Sequence, residues 1–120
     1  MIKRIKMDSA FYPVEAFFNR LNHDDFIMAL ENFSNGRGYN PEDMTCFFPC
    51  EMVEDEGGEI HDYKYIAFWE YSSNSEVFLD FSDFMSILKK AVESEIKINA
   101  GAEEKINQLV LKISQYLLKI

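Results

Sequence analysis

The sequence predicts an α+β domain: two N-terminal helices, a three-stranded (or slightly larger) antiparallel β-meander and two C-terminal helices. Three observations predict this class. Apolar residues recur at helical spacing in residues 9–33 and again in residues 84–120. Between these regions, from about residue 45, apolar and aromatic residues follow a period closer to two, with short turn-rich links. Helices and strands are therefore segregated along the chain, which is the α+β arrangement.

Length and composition indicate a single folded domain that spans residues 1–120. Of the 120 residues, 48% are hydrophobic and 15% are aromatic, which is enough to build a core. The chain has no uncharged apolar run of about eighteen residues, the length needed to cross a bilayer. After the basic start MIKRIKM comes DSAFYPVE, where a signal peptide has its apolar segment. We therefore expect a soluble cytoplasmic protein without a membrane partner; its oligomeric state stays open, with a monomer favoured.

Two helices are expected before residue 34. The first begins near Asp8 or Ser9, since either side chain can cap free backbone N–H groups, and Pro13 is tolerated in a first turn. The second opens at Asn22. The apolar stripes of the two helices are Val14, Phe17, Phe18 and Leu21, then Phe26, Ala29, Leu30 and Phe33. Residues 34–43 (SNGRGYNPED) are rich in Gly, Asn and Pro and predict a loop.

Three strands are expected at residues 45–52, 62–71 and 76–81. Both faces of the segment 62–71 are apolar in its middle, which predicts the central strand. Pro49 places the first strand at an edge or at a bulge, because proline cannot donate to the ladder. The acidic segment EDEGGEI would then form the turn of a hairpin between the first two strands.

Two helices are expected after the strands. Ser82 is a suitable N-cap for a helix that ends before residues 100–102 (AlaGlyAla), and the last helix covers about 102–119. Their apolar stripes are Phe84, Leu88, Ala91, Val92 and Ile96, then Ile106, Leu109, Val110, Ile113, Leu117 and Ile120.

The distribution of charge indicates a basic macromolecular partner. The net charge is −9, and residues 8–83 carry seventeen Asp or Glu against only three Lys or Arg, whereas residues 1–7 and 84–120 are mildly basic. Binding to phosphate backbones needs clustered Lys and Arg, so direct binding to nucleic acid is argued against. A positively charged protein is the natural partner of the acidic middle region.

The acidic run 51–62 is the first candidate for the partner-binding surface. Its six carboxylates are Glu51, Glu54, Asp55, Glu56, Glu59 and Asp62, and Glu70, Glu76 and Asp80 extend the set. Tyr63 and Trp69 are candidate anchors, because Tyr and Trp are favoured at the centre of interfaces. A solvated turn is the alternative for the run, and for at least two of Tyr63, Tyr65, Trp69 and Tyr71 a core layer under a helix is expected.

No catalytic, metal or cofactor site is predicted. The soft ligand candidates are Cys46, Cys50, His23 and His61, and their spacing matches zinc sites poorly. The acidic run lacks the alternating pattern of a calcium-binding EF-hand loop, and its flanks predict strands. Paired carboxylates are too abundant here for any one pair to indicate acid–base catalysis.

In element order and in several segments the chain resembles bacterial toxin-immunity proteins of contact-dependent growth inhibition (CDI), in particular those paired with ribonuclease toxins. The segments are YKYIAFWEY and VFLDFSDFMSILKKAVE, the best marker is EVFLDFSDFMSIL at 76–88, and the resemblance covers roughly residues 10–96. It implies a cytoplasmic antidote that binds the C-terminal nuclease domain of a toxin and covers its active site or RNA-binding surface. Binding residues vary with the toxin in such proteins, so none is carried over.

Two other functions remain open. One is an acidic adaptor whose basic protein partner is not a toxin. The other is a metal-dependent hydrolase that uses the carboxylates, with Cys46, Cys50 or His61 as ligands.

Overall fold

A computed structural model describes residues 1–120 and contains five α-helices and one three-stranded sheet. The helices are α1 (Tyr12–Arg20), α2 (His23–Ser34), α3 (Pro49–Glu56), α4 (Phe81–Ile98) and α5 (Glu103–Lys119). The strands are β1 (Met44–Phe47), β2 (Tyr65–Glu70) and β3 (Ser75–Asp80), and short 3-10 turns cover Ser9–Phe11, Ile60–Asp62 and Ala100–Ala102. The α+β class, with two helices near each end of the chain, is confirmed. None of the helices has the length and apolar character required to cross a bilayer.

The sheet is an antiparallel meander in the order β1-β2-β3, so the prediction that the segment 62–71 supplies the central strand is confirmed. In the register, Ala67 of β2 lies between Phe47 of β1 and Phe78 of β3. Side chains alternate between the two faces of a strand. One face buries Ile66 and Phe68 beneath α1 and α4. The opposite face carries the residues of the candidate site.

Phenylalanine rings join the helices to the covered face of the sheet. Phe33 of α2 stacks on Phe48 at 5.0 Å between ring centroids and meets Phe84 of α4 edge-on at 5.6 Å. Phe17 of α1 meets Phe68 of β2 edge-on at 5.3 Å. All five rings are fully buried, and edge-to-face and offset contacts of this kind add to the hydrophobic stabilisation of the core. The helical layer is thus fixed to one side of the sheet only.

The predicted strand 45–52 is wrong in its second half, and the predicted acidic hairpin turn is wrong with it. Strand β1 ends at Phe47, and the chain turns into helix α3 at Pro49. Proline suits the first turn of a helix, because its fixed φ is helical and its missing N–H is not needed there. The Glu51 carboxylate accepts a hydrogen bond from the backbone N–H of Phe48 at 2.7 Å and caps the helix. The acidic residues 51–56 therefore lie on a helix between β1 and β2.

A buried arginine fixes the N-terminal segment to three helices. The Arg4 side chain is fully buried, and its Nε donates to Oε1 of Glu95 in α4 at 2.9 Å. Its Nη1 donates to the carbonyls of Phe18 and Leu21 at 2.6 Å, which satisfies carbonyls left free at the end of α1. The guanidinium also lies over the Phe26 ring of α2, 4.4 Å from its centroid. Arg4 therefore belongs to the interior and adds nothing to a basic surface.

Helix α4 begins two residues earlier than its predicted cap implies. Asp80, not Ser82, is the N-cap, and its Oδ1 accepts from the backbone N–H of Asp83 at 2.7 Å. A carboxylate at this position satisfies one of the free N–H groups of the helix and interacts favourably with the helix dipole.

Candidate functional site

The side of the sheet opposite α1 and α4 exposes aromatic side chains. We call this surface the open face; its residues are Phe47, Tyr65, Ala67, Trp69, Glu76, Phe78 and Asp80. Trp69 is 41% exposed and Phe78 is 56% exposed. Tyr65 and Phe78 meet edge-on at 5.0 Å, so the exposed rings are held in place by one another as well as by the strands. Such an exposed aromatic patch on a rigid sheet is typical of a protein-binding surface.

None of the four aromatic residues singled out from the sequence is fully buried. Tyr71 is 50% exposed and packs edge-on against Trp69 at 4.9 Å. Tyr63 and Tyr65 are half-buried neighbours whose ring centroids lie 6.5 Å apart. Tyr63 donates its hydroxyl to the carbonyl of Gly57 at 2.7 Å, just beyond the end of α3. The expected core layer under a helix is therefore absent from these positions.

Helix α3 stands beside the open face and forms a groove with it. The groove has a volume of about 290 Å³, and its lining residues are Phe47, Met52, Asp55, Glu56, Tyr65, Ala67, Trp69, Glu76 and Phe78. Met52 is buried and holds α3 in position, while Asp55 and Glu56 on the same helix are exposed. The groove brings together four of the candidates predicted from sequence, namely Asp55, Glu56, Trp69 and Glu76.

Five groove residues were not among the predicted site residues: Phe47, Met52, Tyr65, Ala67 and Phe78. The sequence carries a signal for Phe78, which alternates with Glu76 and Asp80 and so shares the polar face of β3. No comparable signal exists for Met52, because its position depends on the unpredicted helix α3.

The carboxylates of the groove have no basic partner. Asp55, Glu56 and Glu76 take part in no ion pair within the chain. By contrast, Glu54, on the outer side of α3, lies 3.2 Å from Nη2 of Arg37. Unpaired carboxylates beside apolar rings give the groove a negative potential that a basic partner can neutralise.

Glu59 and Asp62 lie outside the groove, next to the C-terminal end of α3. Both are exposed, and Asp62 Oδ2 accepts from the backbone N–H of Glu59 at 2.9 Å. They extend the negative surface beyond the helix. Asp80 is also exposed, at the far end of the open face, although its carboxylate caps α4.

Glu51 has a structural role. Its side chain is mostly buried, and Oε1 accepts from the backbone N–H of Gly38 at 2.9 Å in addition to that of Phe48. These bonds join the loop before β1 to the first turn of α3. Glu51 therefore positions the acidic helix, and little of its charge is presented to a partner.

Glu70 is removed from the partner surface by complete burial. It lies on the covered face of β2, where Arg20 Nη1 donates to Oε2 at 3.0 Å. The hydroxyl of Ser72 and the backbone N–H of Ser73 also donate to the carboxylate, at 2.7–2.8 Å. Hydrogen bonds from Ser72 and Ser73, with that from Arg20, lower the pKa of Glu70 to about 2. Glu70 organises the β2–β3 turn.

The residues suggested as metal ligands do not converge. Cys46 is completely buried in β1, whereas His61 is exposed and lies 3.6 Å from Asp62. Burial, followed by the hydrogen bond to Glu51, raises the pKa of the Cys50 thiol to about 12, so the thiol stays protonated near neutral pH. Metals bind the thiolate, and no group of three His, Cys, Asp or Glu side chains is arranged to hold an ion. The geometry gives the hydrolase alternative no support.

A rigid aromatic face beside unpaired carboxylates is the arrangement of a protein that acts by binding another protein. The profile of the CDI immunity protein family matches residues 10–110, and the chain belongs to this family. The family consists of non-enzymatic toxin inhibitors, so this protein neutralises a cognate toxin and is not an enzyme. No curated protein matches the chain significantly.

Proposed function

We propose that this immunity protein neutralises the C-terminal nuclease domain, a ribonuclease, of a CDI toxin in the cytoplasm by covering its basic substrate-binding surface. The observation that carries the proposal is the open face, where Trp69 and Phe78 are exposed beside the unpaired carboxylates of α3 and β3. The proposed footprint comprises Glu54, Asp55, Glu56, Glu59, Asp62, Glu76 and Asp80, with Tyr63 at its edge and Trp69 and Phe78 as anchors.

Charge complementarity supports a nuclease as the target. A nuclease presents Lys and Arg to the phosphates of its substrate, and a blocker must offer negative charge to the same residues. Residues 8–83, which include α3 and the whole sheet, carry seventeen acidic side chains against three basic ones. Electrostatic attraction of this kind raises association rates toward about 10⁸–10⁹ M⁻¹s⁻¹ at low salt. Fast capture suits an antidote, because the toxin acts until it is bound.

The aromatic residues supply slow dissociation of the complex, which charge alone does not provide. Exposed ion pairs are screened over a Debye length of roughly 8 Å at physiological ionic strength, so a purely electrostatic complex would dissociate quickly. Burial of Trp69 and Phe78 against the toxin removes apolar surface from water and slows dissociation. The footprint thus combines carboxylates that speed association with rings that hold the complex together.

The decisive experiment is inhibition of the toxin domain encoded by the adjacent gene. The purified toxin domain is incubated with RNA and increasing amounts of the immunity protein, and RNA cleavage is measured. We expect complete inhibition at equimolar protein, and competition between RNA and the immunity protein for the toxin domain. A toxin domain that cuts no RNA, or a complex that still binds RNA with unchanged affinity, would contradict the proposal.

A further inference from the structure

We infer that the groove between α3 and the open face receives one arginine side chain of the toxin. The inference rests on the proposed function, because it assumes a toxin domain with a basic surface. It adds the chemical identity of the central contact and the residues that make it.

The groove offers a guanidinium both stacking surfaces and hydrogen-bond acceptors. Trp69, Tyr65 and Phe78 supply aromatic surface along the strands. Asp55 and Glu56 supply carboxylates from α3, and Glu76 supplies one from β3, directly across the strand pair from Trp69. A guanidinium stacks on aromatic rings and pairs with carboxylates through two parallel N–H groups. Carboxylate acceptors on both sides of an aromatic surface therefore match the planar shape of a guanidinium.

The groove is large enough to admit a single long side chain. Its volume of about 290 Å³ is close to the lower end of the roughly 300–1,000 Å³ that is usual for pockets holding a whole small ligand. An inserted side chain from a protein partner needs less room than such a ligand.

Alternatives to arginine fit the groove less well. An apolar side chain would desolvate Asp55, Glu56 and Glu76 without offering them a hydrogen bond, which is costly. A lysine ammonium is compact and strongly hydrated, and it has no flat surface to lay on Trp69. Arginine is the basic residue that satisfies the rings and the carboxylates together.

The groove is formed before the partner arrives. Helix α3 is held at its start by the Glu51 hydrogen bonds to Phe48 and Gly38, and the segment after its end is held by the bond from Tyr63 to Gly57. The opposite wall consists of two strands paired in register from Tyr65 to Glu70. A preorganised site loses less conformational entropy on binding, so a single arginine contributes more to affinity.

The test measures dissociation of the complex between the immunity protein and the toxin domain from the adjacent gene. We expect Glu76→Gln to raise the dissociation rate at least about tenfold and Trp69→Leu to raise it roughly 30-fold. The matched controls are Glu104→Gln, which also removes a carboxylate charge, and Phe11→Leu, which also replaces an aromatic ring with leucine. Both residues are exposed and lie outside the groove, so both variants should leave the dissociation rate nearly unchanged. Thermal melting checks that every variant is folded.

A double-mutant cycle identifies the arginine. Each interface arginine of the toxin is changed to lysine, which keeps the charge and removes the planar fork. One of these changes should speed dissociation from the wild-type immunity protein, yet have little further effect on Glu76→Gln. If the wild-type protein binds the toxin domain tightly but Glu76→Gln and Trp69→Leu leave the dissociation rate unchanged, the inference is overturned and the proposed function is not. Absence of any wild-type binding would overturn the proposed function, and the inference with it.

Discussion

The guanidinium of Arg4 and the carboxylate of Glu95, which are 91 positions apart in the chain, form a completely buried ion pair with an Nε–Oε1 distance of 2.9 Å. Oε2 of the same carboxylate lies 2.7 Å from Nδ1 of His23. The pair joins the N-terminal segment to α4. Arg4 also donates hydrogen bonds to the carbonyls of Phe18 and Leu21, which joins the same segment to the end of α1. Removing either partner leaves the other charged group buried without its ion-pair partner.

We therefore expect Arg4→Met to lower the free energy of unfolding by about 3–5 kcal/mol, the usual cost of breaking a buried pair. Urea denaturation followed by circular dichroism measures this change. Lys3→Met is the matched control, because Lys3 is the exposed neighbour, and it should change stability by less than about 0.5 kcal/mol. Equal effects of the two substitutions would show that the ion pair does not secure the fold.

Acid should destabilise the protein partly through Glu70. Its pKa is about 2 in the folded protein against an ordinary value of 4.5, so folding favours the ionised form. The resulting stabilisation is present above pH 4.5 and is lost as the pH falls toward 2. Glu70→Gln should be less stable than wild type at pH 7, and the difference should shrink on acidification across this interval. Melting temperatures of both proteins between pH 7 and pH 2 test this expectation; a constant difference would contradict it.

Charge reversal on α3 should slow capture of the toxin. We expect the triple variant Glu54→Lys, Asp55→Lys, Glu56→Lys to reduce the association rate constant by about 10- to 100-fold at low salt, and by less as salt screens the field. The control reverses Glu93, Glu103 and Glu104, which are exposed residues of α4 and α5, with the same change in net charge. Stopped-flow or surface-based kinetics give the rates. Identical association of the two triple variants would remove α3 from the footprint.

Trp69 provides a direct probe of the open face, because it is the only tryptophan in the chain. In ¹⁵N-labelled immunity protein its indole N–H gives one resonance, and unlabelled toxin domain should shift that resonance. Its exchange with solvent should also slow, since a side chain now 41% exposed becomes buried. An indole signal that is unmoved in a saturated complex would place the interface elsewhere.

Both cysteines should be unreactive while the protein is folded. Burial raises the pKa of Cys46 well above its ordinary value and, with Glu51, that of Cys50 to about 12, so the reactive thiolates are scarce at neutral pH. Iodoacetamide at pH 7.5, followed by mass spectrometry, should modify neither thiol in the native protein and both in urea. Rapid native alkylation of Cys50 would show that its contacts with Gly36 and Glu51 are not maintained.

The sequence predicts those elements whose apolar pattern is local. The stripes of α2 and α5 predict the burial that is observed, and the two-sided apolar character of β2 predicts its central position in the sheet. The segment 49–56 was misassigned because Pro49 is compatible with a strand edge and with a helix start. Its helical form depends on hydrogen bonds from Gly38 and Phe48 to Glu51, and the bond from Gly38 is tertiary.

The candidate site was predictable only in part, for a related reason. The alternation of Tyr65, Ala67 and Trp69 identifies residues of one face, but nothing local shows which face the helices cover. Arg4 and Glu70 count as surface charges in the sequence, and their burial depends on partners far away in the chain, Glu95 and Arg20.

The insertion of α3 between two paired strands has an evolutionary consequence. Met52 and Glu51 secure the helix from within, whereas Asp55 and Glu56 are exposed and form no ion pair with another element. Lineages that encounter new toxins are therefore free to diversify these exposed positions without weakening the scaffold, which Arg4 and Glu95 hold independently. Under the proposed function, the specificity for a toxin and the stability of the fold therefore depend on different residues.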